Sequence, residues 1–210
     1  MTTRERLVAA AIDFLEQGGE AAVRVDEVAA AAGVKRPSIY HYFGDREGLI
    51  IAAQAERYSR TLLEGIEEQT KAVILCKTRG DFFSLLRSWI NNNSDKSGVR
   101  RRRIRVEVLG ASTTRPELRS LLAEREKAAM KRIAAVLAMA QDKGWIDYRL
   151  DFETSAIWWI GVMNGRYLVE GDGASGEGVE WDRITAEALI RLLGPPAREK
   201  QENGGPGGPP

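Results

Sequence analysis

Apolar residues recur along this chain at intervals of three and four, and no segment keeps up the alternation of apolar and polar positions that marks a strand. Thr2 and Glu5 stand at capping-box spacing ahead of Leu7, Ala11, Phe14 and Leu15, which predicts a first helix ending at Gly18-Gly19. Residues Asp26 to Ala32 are rich in helix formers and are stopped by Gly33, a residue suited to the left-handed conformation that ends many helices. Pro37 opens a third short helix with Ile39, Tyr40 and Phe43 on one side, Gly44 ends it, and Asp45 is a good cap for the next. Ile51, Ala55, Tyr58, Leu62 and Ile66 then predict a long helix from about Arg46 to Val73.

Beyond it, Phe82, Leu85, Leu86 and Trp89 predict a short helix over Asp81 to Ile90, broken by Asn91-Asn92-Asn93-Ser94. A helix over Val99 to Leu109 is followed by a turn framed by Gly110 and Pro116. A long amphipathic helix then carries Leu118, Leu122, Ala129, Ile133, Val136, Leu137 and Ala140 to near Gly144. The most apolar stretch, residues 152 to 169, offers Phe152, Ala156, Trp159, Ile160, Met163 and Tyr167 to more than one side. A Gly-rich loop, Gly171 to Gly178, leads to a last helix over Asp182 to Leu193, whose apolar positions are Ile184, Ala188, Leu189, Leu192 and Leu193. The fold class is all-α. The organisation predicted is a three-helix N-terminal domain over residues 1–48, a helical domain over 49–194, and a Gly- and Pro-rich tail over 195–210 that cannot bury enough surface to order.

Composition narrows what such a protein can be. With 43% hydrophobic and 29% charged residues, the chain of 210 residues is ordinary globular material. No apolar run approaches the roughly 20 residues of a membrane span, and no signal-peptide core follows Met1, so neither a membrane partner nor secretion is expected and the address is cytoplasmic. The lone Cys76 excludes an intrachain disulfide and a Cys-based zinc cluster, and the lone His41 excludes a His-built one. No metal or cofactor is expected. No nucleophile motif or paired acid and base is found either, so an enzyme on an α bundle is disfavoured. The net charge of +1 advertises no polyanion partner; a nucleic acid would have to be bound by a local surface.

Such a surface is available. Two short helices joined by a turn at Gly33-Val34 and followed by a long helix have the shape of a helix-turn-helix, whose second helix enters the DNA major groove. Lys35, Arg36, Ser38, Tyr40, His41, Tyr42 and Arg46 pack hydrogen-bond donors into about a dozen positions. Residues 1 to 60 hold eight Lys and Arg against nine Asp and Glu, but residues 34 to 46 hold three cations against one acid. The bland alternatives are a solvated surface for His41 and a purely structural role for Tyr40 and Phe43, which can hold the three-helix unit together.

The run from Val25 to Leu49, VDEVAAAAGVKRPSIYHYFGDREGL, resembles the signature of the TetR family of transcriptional regulators, strongly over residues 4 to 50 and weakly elsewhere. The resemblance implies that Val28-Ala29 and Ala32-Gly33-Val34 build the first helix of the motif and its turn, and that Tyr40 to Phe43 belong to the recognition helix. It further implies that Tyr42 reaches a phosphate, that His41 faces the groove or the backbone, and that Arg46 touches phosphate. Candidate DNA-binding residues are thus Arg24, Val25, Lys35, Arg36, Pro37, Ser38, Tyr40, His41, Tyr42 and Arg46. Arg24 stands where the family usually has Thr, leaving the capping to Asp26; Lys35 replaces a common Ser, and Pro37 a small residue, so base readout does not transfer.

For the remainder, the resemblance implies a ligand-sensing domain and a homodimer joined through the last two helices, here Phe152 to Val169 and Asp182 to Leu193. A helix apolar on two sides needs two partners, which a second copy supplies unless the helix is central to a monomer's core. Candidate lining residues for a small-molecule effector are Phe82, Phe83, Leu86, Trp89, Ile104, Val108, Met130, Trp158, Met163 and Tyr167, each of which is also ordinary bundle filling. The run Arg100 to Arg105 holds five guanidiniums: a solvated face, an anion site through Arg102 and Arg103, a set of pairs with Glu107 or a second subunit, or accessory phosphate contacts. The function expected is a ligand-responsive repressor binding double-stranded DNA as a homodimer on a palindrome. The alternative is a DNA-binding regulator without a small effector, controlled by a protein partner or by abundance.

Overall fold

The computed structural model describes residues 1–63, 66–91, 96–146, 151–169 and 177–194, and the tail, the Gly-rich loop before Glu177 and the break at 92–94 lie outside the described residues. The described residues form ten helices and no strand: α1 (Thr3–Gly18), α2 (Val25–Ala31), α3 (Pro37–Phe43), α4 (Arg46–Leu63), α5 (Ile66–Leu75), α6 (Arg79–Asn91), α7 (Lys96–Ser112), α8 (Pro116–Asp142), α9 (Phe152–Gly165) and α10 (Glu177–Leu192). Single 3-10 turns cover Glu20–Ala22 and Arg166–Val169.

Local chemistry sets the ends of the first four helices. The capping box at α1 is formed, with Glu5 N–H donating to Thr2 Oγ1 (3.2 Å) and Thr2 N–H donating to Glu5 Oε2 (2.8 Å). Gly33 takes φ +64 in the turn between α2 and α3, a conformation in which a side chain would be strained. Asp45 caps α4 by accepting from Gly48 N–H at 2.8 Å. Gly48 is itself required by a close approach, since a Cβ there would sit 2.1 Å from the Phe43 carbonyl oxygen.

Three apolar cores lie one after another. Leu7, Ala11, Leu15, Val23, Val28, Ile39, Leu49 and Ile50 fill the first, among α1 to α4. Ile51, Ala55, Tyr58 and Leu62, on the other side of α4, meet Ile104 and Val108 of α7 and Leu118, Leu122 and Ala129 of α8 in the second. The third joins Val73, Phe82, Phe83, Leu86 and Ile90 to Ala140, Trp145, Leu189 and Leu193. Helix α4 thus belongs to two cores at once and links them mechanically. A partly buried hydrogen bond from the Tyr58 hydroxyl to Glu126 of α8 (2.6 Å) fixes its outer half, and the burial of Tyr58 together with that carboxylate pushes its pKa up.

The helix expected over 46–73 is helical over 46–63 and 66–75, and residues 64–65 lie outside the described residues. Three expectations about elements need correction. Gly110 does not end a helix, because α7 runs through it to Ser112 and the turn falls at 113–115. The last helix starts five residues earlier than expected, at Glu177. Asp26 does not cap α2: the cap position is Arg24, whose side chain makes no capping bond, and Asp26 pairs with Arg36 of α3 at 3.4 Å.

Candidate nucleic-acid interface and effector cavity

Helix α3 shows one face to the core and the rest to solvent. Ile39 is fully buried, whereas Lys35, Arg36, Pro37, Tyr40, His41 and Tyr42 are exposed and Ser38 is half-buried. The anchor is Phe43, half-buried against the first core with the Arg4 guanidinium over its ring at 5.4 Å. Tyr40 is therefore not a core residue: it is 42% exposed and its hydroxyl accepts from Arg36 Nη2 at 2.9 Å and Nε at 3.3 Å. These bonds hold Arg36 against both Tyr40 and Asp26 on an otherwise open surface. At the start of α2, Arg24 is exposed and bonded to Glu27 at 3.1 Å, and Val25 is half-buried against the first core.

Arg46, to which the resemblance gives a phosphate contact, is exposed and also bonds within the chain. Its Nε donates to the Val23 carbonyl at 2.7 Å and its Nη2 to the Glu20 carbonyl, so the guanidinium satisfies backbone oxygens between α1 and α2. Arg46→Ala should cost about 1 kcal/mol of stability and leave the salt dependence of DNA binding unchanged; a salt slope lowered by about one unit would establish the phosphate role.

The helix-turn-helix unit is tied to the rest of the chain by ion pairs across long sequence separations. Arg115, at the start of α8, donates to both oxygens of Glu20 (2.7 Å each) and its Nε meets Glu47 of α4 at 2.7 Å. Glu20 also accepts from Gln54 at 3.2 Å, and Arg100 of α7 reaches Glu16 of α1 at 2.5 Å. The Arg115 bonds hold the Glu20 carboxyl below the usual carboxylate range. A carboxyl whose pKa is lowered by folding stabilises the fold above its unfolded value, and that contribution vanishes as pH falls through its folded value. Between about pH 5 and pH 3 the parent should therefore lose stability more steeply than Arg115→Met, which starts about 1 kcal/mol lower at neutral pH. Parallel slopes in urea unfolding across that range would contradict the assignment.

A cavity of about 270 Å³ is lined by Leu62 of α4, Gln69 and Thr70 of α5, Phe82, Leu86 and Trp89 of α6, Arg101 and Arg105 of α7, Ala129, Ile133, Val136 and Leu137 of α8, Ser155, Trp158, Trp159, Ile160 and Met163 of α9, and Leu189, Leu192 and Leu193 beyond them. Of the expected lining residues it brings together Phe82, Leu86, Trp89, Trp158 and Met163. Phe83 is buried against Phe82 and Arg79, Ile104 and Val108 lie in the second core, Met130 is half-buried away from the cavity, and Tyr167 is at the surface.

The arginine run is corrected as well, because it is not one solvated face. Arg100 is exposed but joins Glu16 of α1, Arg102 is 1% exposed, Arg105 donates to Thr61 Oγ1 (3.2 Å) and to the Thr61 carbonyl, and Arg103 lies at the surface, paired with Glu107 at 3.5 Å. The cavity is met by Arg101 and Arg105, not by Arg102 and Arg103. Sequence reasoning missed those two and Trp159. Their spacing of four, one side of one helix, was the signal present.

An all-helical chain with an N-terminal helix-turn-helix on a helical body defines a class of DNA-binding regulator, and the comparisons agree. Residues 7–53 match the model described as bacterial regulatory proteins, tetR family. The chain is 28% identical over 182 residues to the HTH-type transcriptional repressor AcnR of Corynebacterium efficiens, covering 85% of this chain and 86% of that protein. Salmonella enterica GusR shares the fold with a TM-score of 0.63 at 21% identity, covering 91% of this chain and 95% of that one. A Saccharomonospora viridis protein crystallised with choline superposes with a TM-score of 0.60 at 17% identity, covering 90% and 95%. Residues 7–53 thus resemble the DNA-binding part of the tetR family of bacterial regulatory proteins, and the fold of the chain is shared with solved regulators. Among the described residues no helix is long and apolar enough to cross a membrane.

Proposed function

We propose that the protein is a homodimeric repressor whose α3 helices read a palindromic operator and whose central cavity holds a small-molecule effector that releases the DNA. The observation that carries the reading is the one-sided exposure of α3, where Ile39 anchors the helix and Lys35, Arg36, Tyr40, His41 and Tyr42 stand free of the core. Lys35 and Tyr42 supply phosphate contacts, while Arg36, held in place by Tyr40, and Ser38 and His41 face base edges. Residues 1–48 with the first half of α4 form the reading head and the remaining helices form the body.

The dimer is supported by apolar surface left open in one chain. Ile157 and Trp158 on α9 are 52% and 42% exposed, and Val179 and Ile184 on α10 are 71% and 54% exposed. These two helices stand where the fold leaves a second apolar side without a partner. Twofold pairing through them sets two α3 helices about one DNA turn apart, roughly 34 Å.

An effector acts by population shift, since only a ligand that prefers the DNA-incompetent arrangement lowers operator affinity. Leu62 supports this route: it lies at the outer end of α4 and lines the cavity, while the inner end of α4 carries Leu49 and Ile50 of the reading head. Choline in the Saccharomonospora viridis relative supports a small-molecule site in this fold. The test is selection of bound fragments from a random DNA pool together with sedimentation of the parent and of Ile157→Arg/Ile184→Arg. An enriched palindrome bound by a dimer, lost in the folded but monomeric variant, is expected. A monomer that selects an asymmetric site would sink the dimer reading, and a folded protein that enriches no sequence would sink the operator reading.

A further inference from the structure

Helix α4 runs from the reading head into the body, and its two sides belong to two different cores. A single rod of this kind fixes a distance well and an angle poorly, and a second attachment away from the rod is what removes the rocking. Arg115 is placed to be that attachment. It stands at the cap position of α8, and Leu118 and Leu122, just beyond it, are fully buried in the second core, so its backbone is fixed to the body. Its guanidinium donates to both oxygens of Glu20, in the turn between α1 and α2, and its Nε meets Glu47 in the first turn of α4, all at 2.7 Å. Gln54 of α4 bonds the same Glu20 carboxylate and Arg46 holds the Glu20 carbonyl, so Arg115 grips a unit that moves as one. The Arg115 and Glu20 side chains are 23% and 32% exposed, and a guanidinium fork on a carboxylate holds an angle as well as a distance. The Arg100–Glu16 pair lies on side chains 55% and 34% exposed and holds the head less firmly.

We infer that Arg115 is a positioning residue that sets which half-site spacing the dimer accepts, by fixing the angle of each reading head on its body. The inference rests on the dimeric operator reading and deepens it. Neighbouring base pairs lie ~3.4 Å apart along the duplex, so a change of a few ångströms in the separation of two α3 helices exchanges one spacing for the next. Twofold symmetry doubles any error in the angle, because both heads turn together. Arg115 acts here through Glu20 and Glu47, and the bases read within each half-site remain the business of α3.

The test uses the full chain and a set of duplexes built on the selected operator, with identical half-sites and one or two base pairs added to or removed from the segment between them. The parent should lose about tenfold or more in affinity for each base pair added or removed. In Arg115→Met that penalty should fall to about threefold or less, while the ranking of base substitutions within a half-site stays as in the parent. Arg115→Lys, which retains the charge but not the planar fork, should fall between the two. Glu20→Gln, with one acceptor oxygen and no charge, should repeat the Arg115→Met result from the side of the head, so the test stands where either variant fails to fold. A merely structural role would lower stability, or affinity for every spacing alike, and leave the shape of the profile as it was. A folded, dimeric Arg115→Met or Glu20→Gln that keeps the parent's spacing profile therefore overturns the inference alone. A changed ranking of bases within the half-site overturns it as well, by placing Arg115 at the DNA. A parent indifferent to spacing overturns the dimeric operator reading and this inference with it.

Discussion

Replacing Asp182 by alanine lowers the unfolding free energy by about 3–5 kcal/mol. Asp182 of α10 and Arg166, immediately after α9, are each about 5% exposed and form a two-point pair, Nε to Oδ1 at 2.9 Å and Nη2 to Oδ2 at 3.2 Å. A pair like this adds little net stability over apolar residues of the same size, because two charges had to leave water to form it. Breaking it is another matter, since the guanidinium left behind stays buried with its bidentate carboxylate gone. Arg166→Met/Asp182→Leu should therefore recover most of what the single variant loses. The pair also joins α9 to α10, the two helices with open apolar surface, so Asp182→Ala should weaken self-association at concentrations where it is still folded. Urea unfolding of the three proteins decides the matter: a cost below about 1 kcal/mol for the single variant would show that this junction does not hold the helices together.

Reversing two charges on α3, Lys35→Glu with Arg36→Glu, should reduce operator affinity by about a hundredfold or more and flatten the salt dependence of what remains. Both side chains are exposed, and among the described residues Arg36 meets Asp26 and Tyr40, so the fold should change by less than about 1 kcal/mol. The effect on DNA is large because each reversal removes an attraction and adds a repulsion against phosphates, once in each protomer of the proposed dimer. The milder pair Arg36→Ala and Ser38→Ala should instead change which sequences are preferred. Titrations of the selected operator and of an unrelated duplex separate the two outcomes; affinity within about threefold of the parent for the double reversal would remove α3 from the interface.

Local signals in the chain sufficed for the reading head and failed for what crosses it. The capping box at Thr2, the turn at Gly33 and the cap at Asp45 are settled within a few residues of themselves, and each forms as its residue types require. The exposure of Tyr40 was not legible, because in a helix of two turns Ile39 and Tyr40 are neighbours and periodicity does not say which of them turns inward. The arginine run misled for a related reason. Charge reports the cost of burial but not the partners that offset it, and those partners, Glu16 and Thr61, lie 84 and 44 positions away. Arg115 finds Glu20 across 95 positions. The cavity was half legible: aromatic and Met positions on α6 and α9 pointed to it, but Arg101 and Arg105 enter it only through the way α7 packs beside α4 and α9.

The central claim is that two α3 helices, joined by a twofold dimer, read DNA one turn apart. Hydroxyl-radical footprinting of the parent on a selected operator, repeated across a salt series, tests it most directly. The expected result is two protected patches on one face of the duplex, centred about 34 Å apart and related by a dyad, weakening together as salt rises. A single patch, or protection insensitive to salt from a folded dimer, would contradict it.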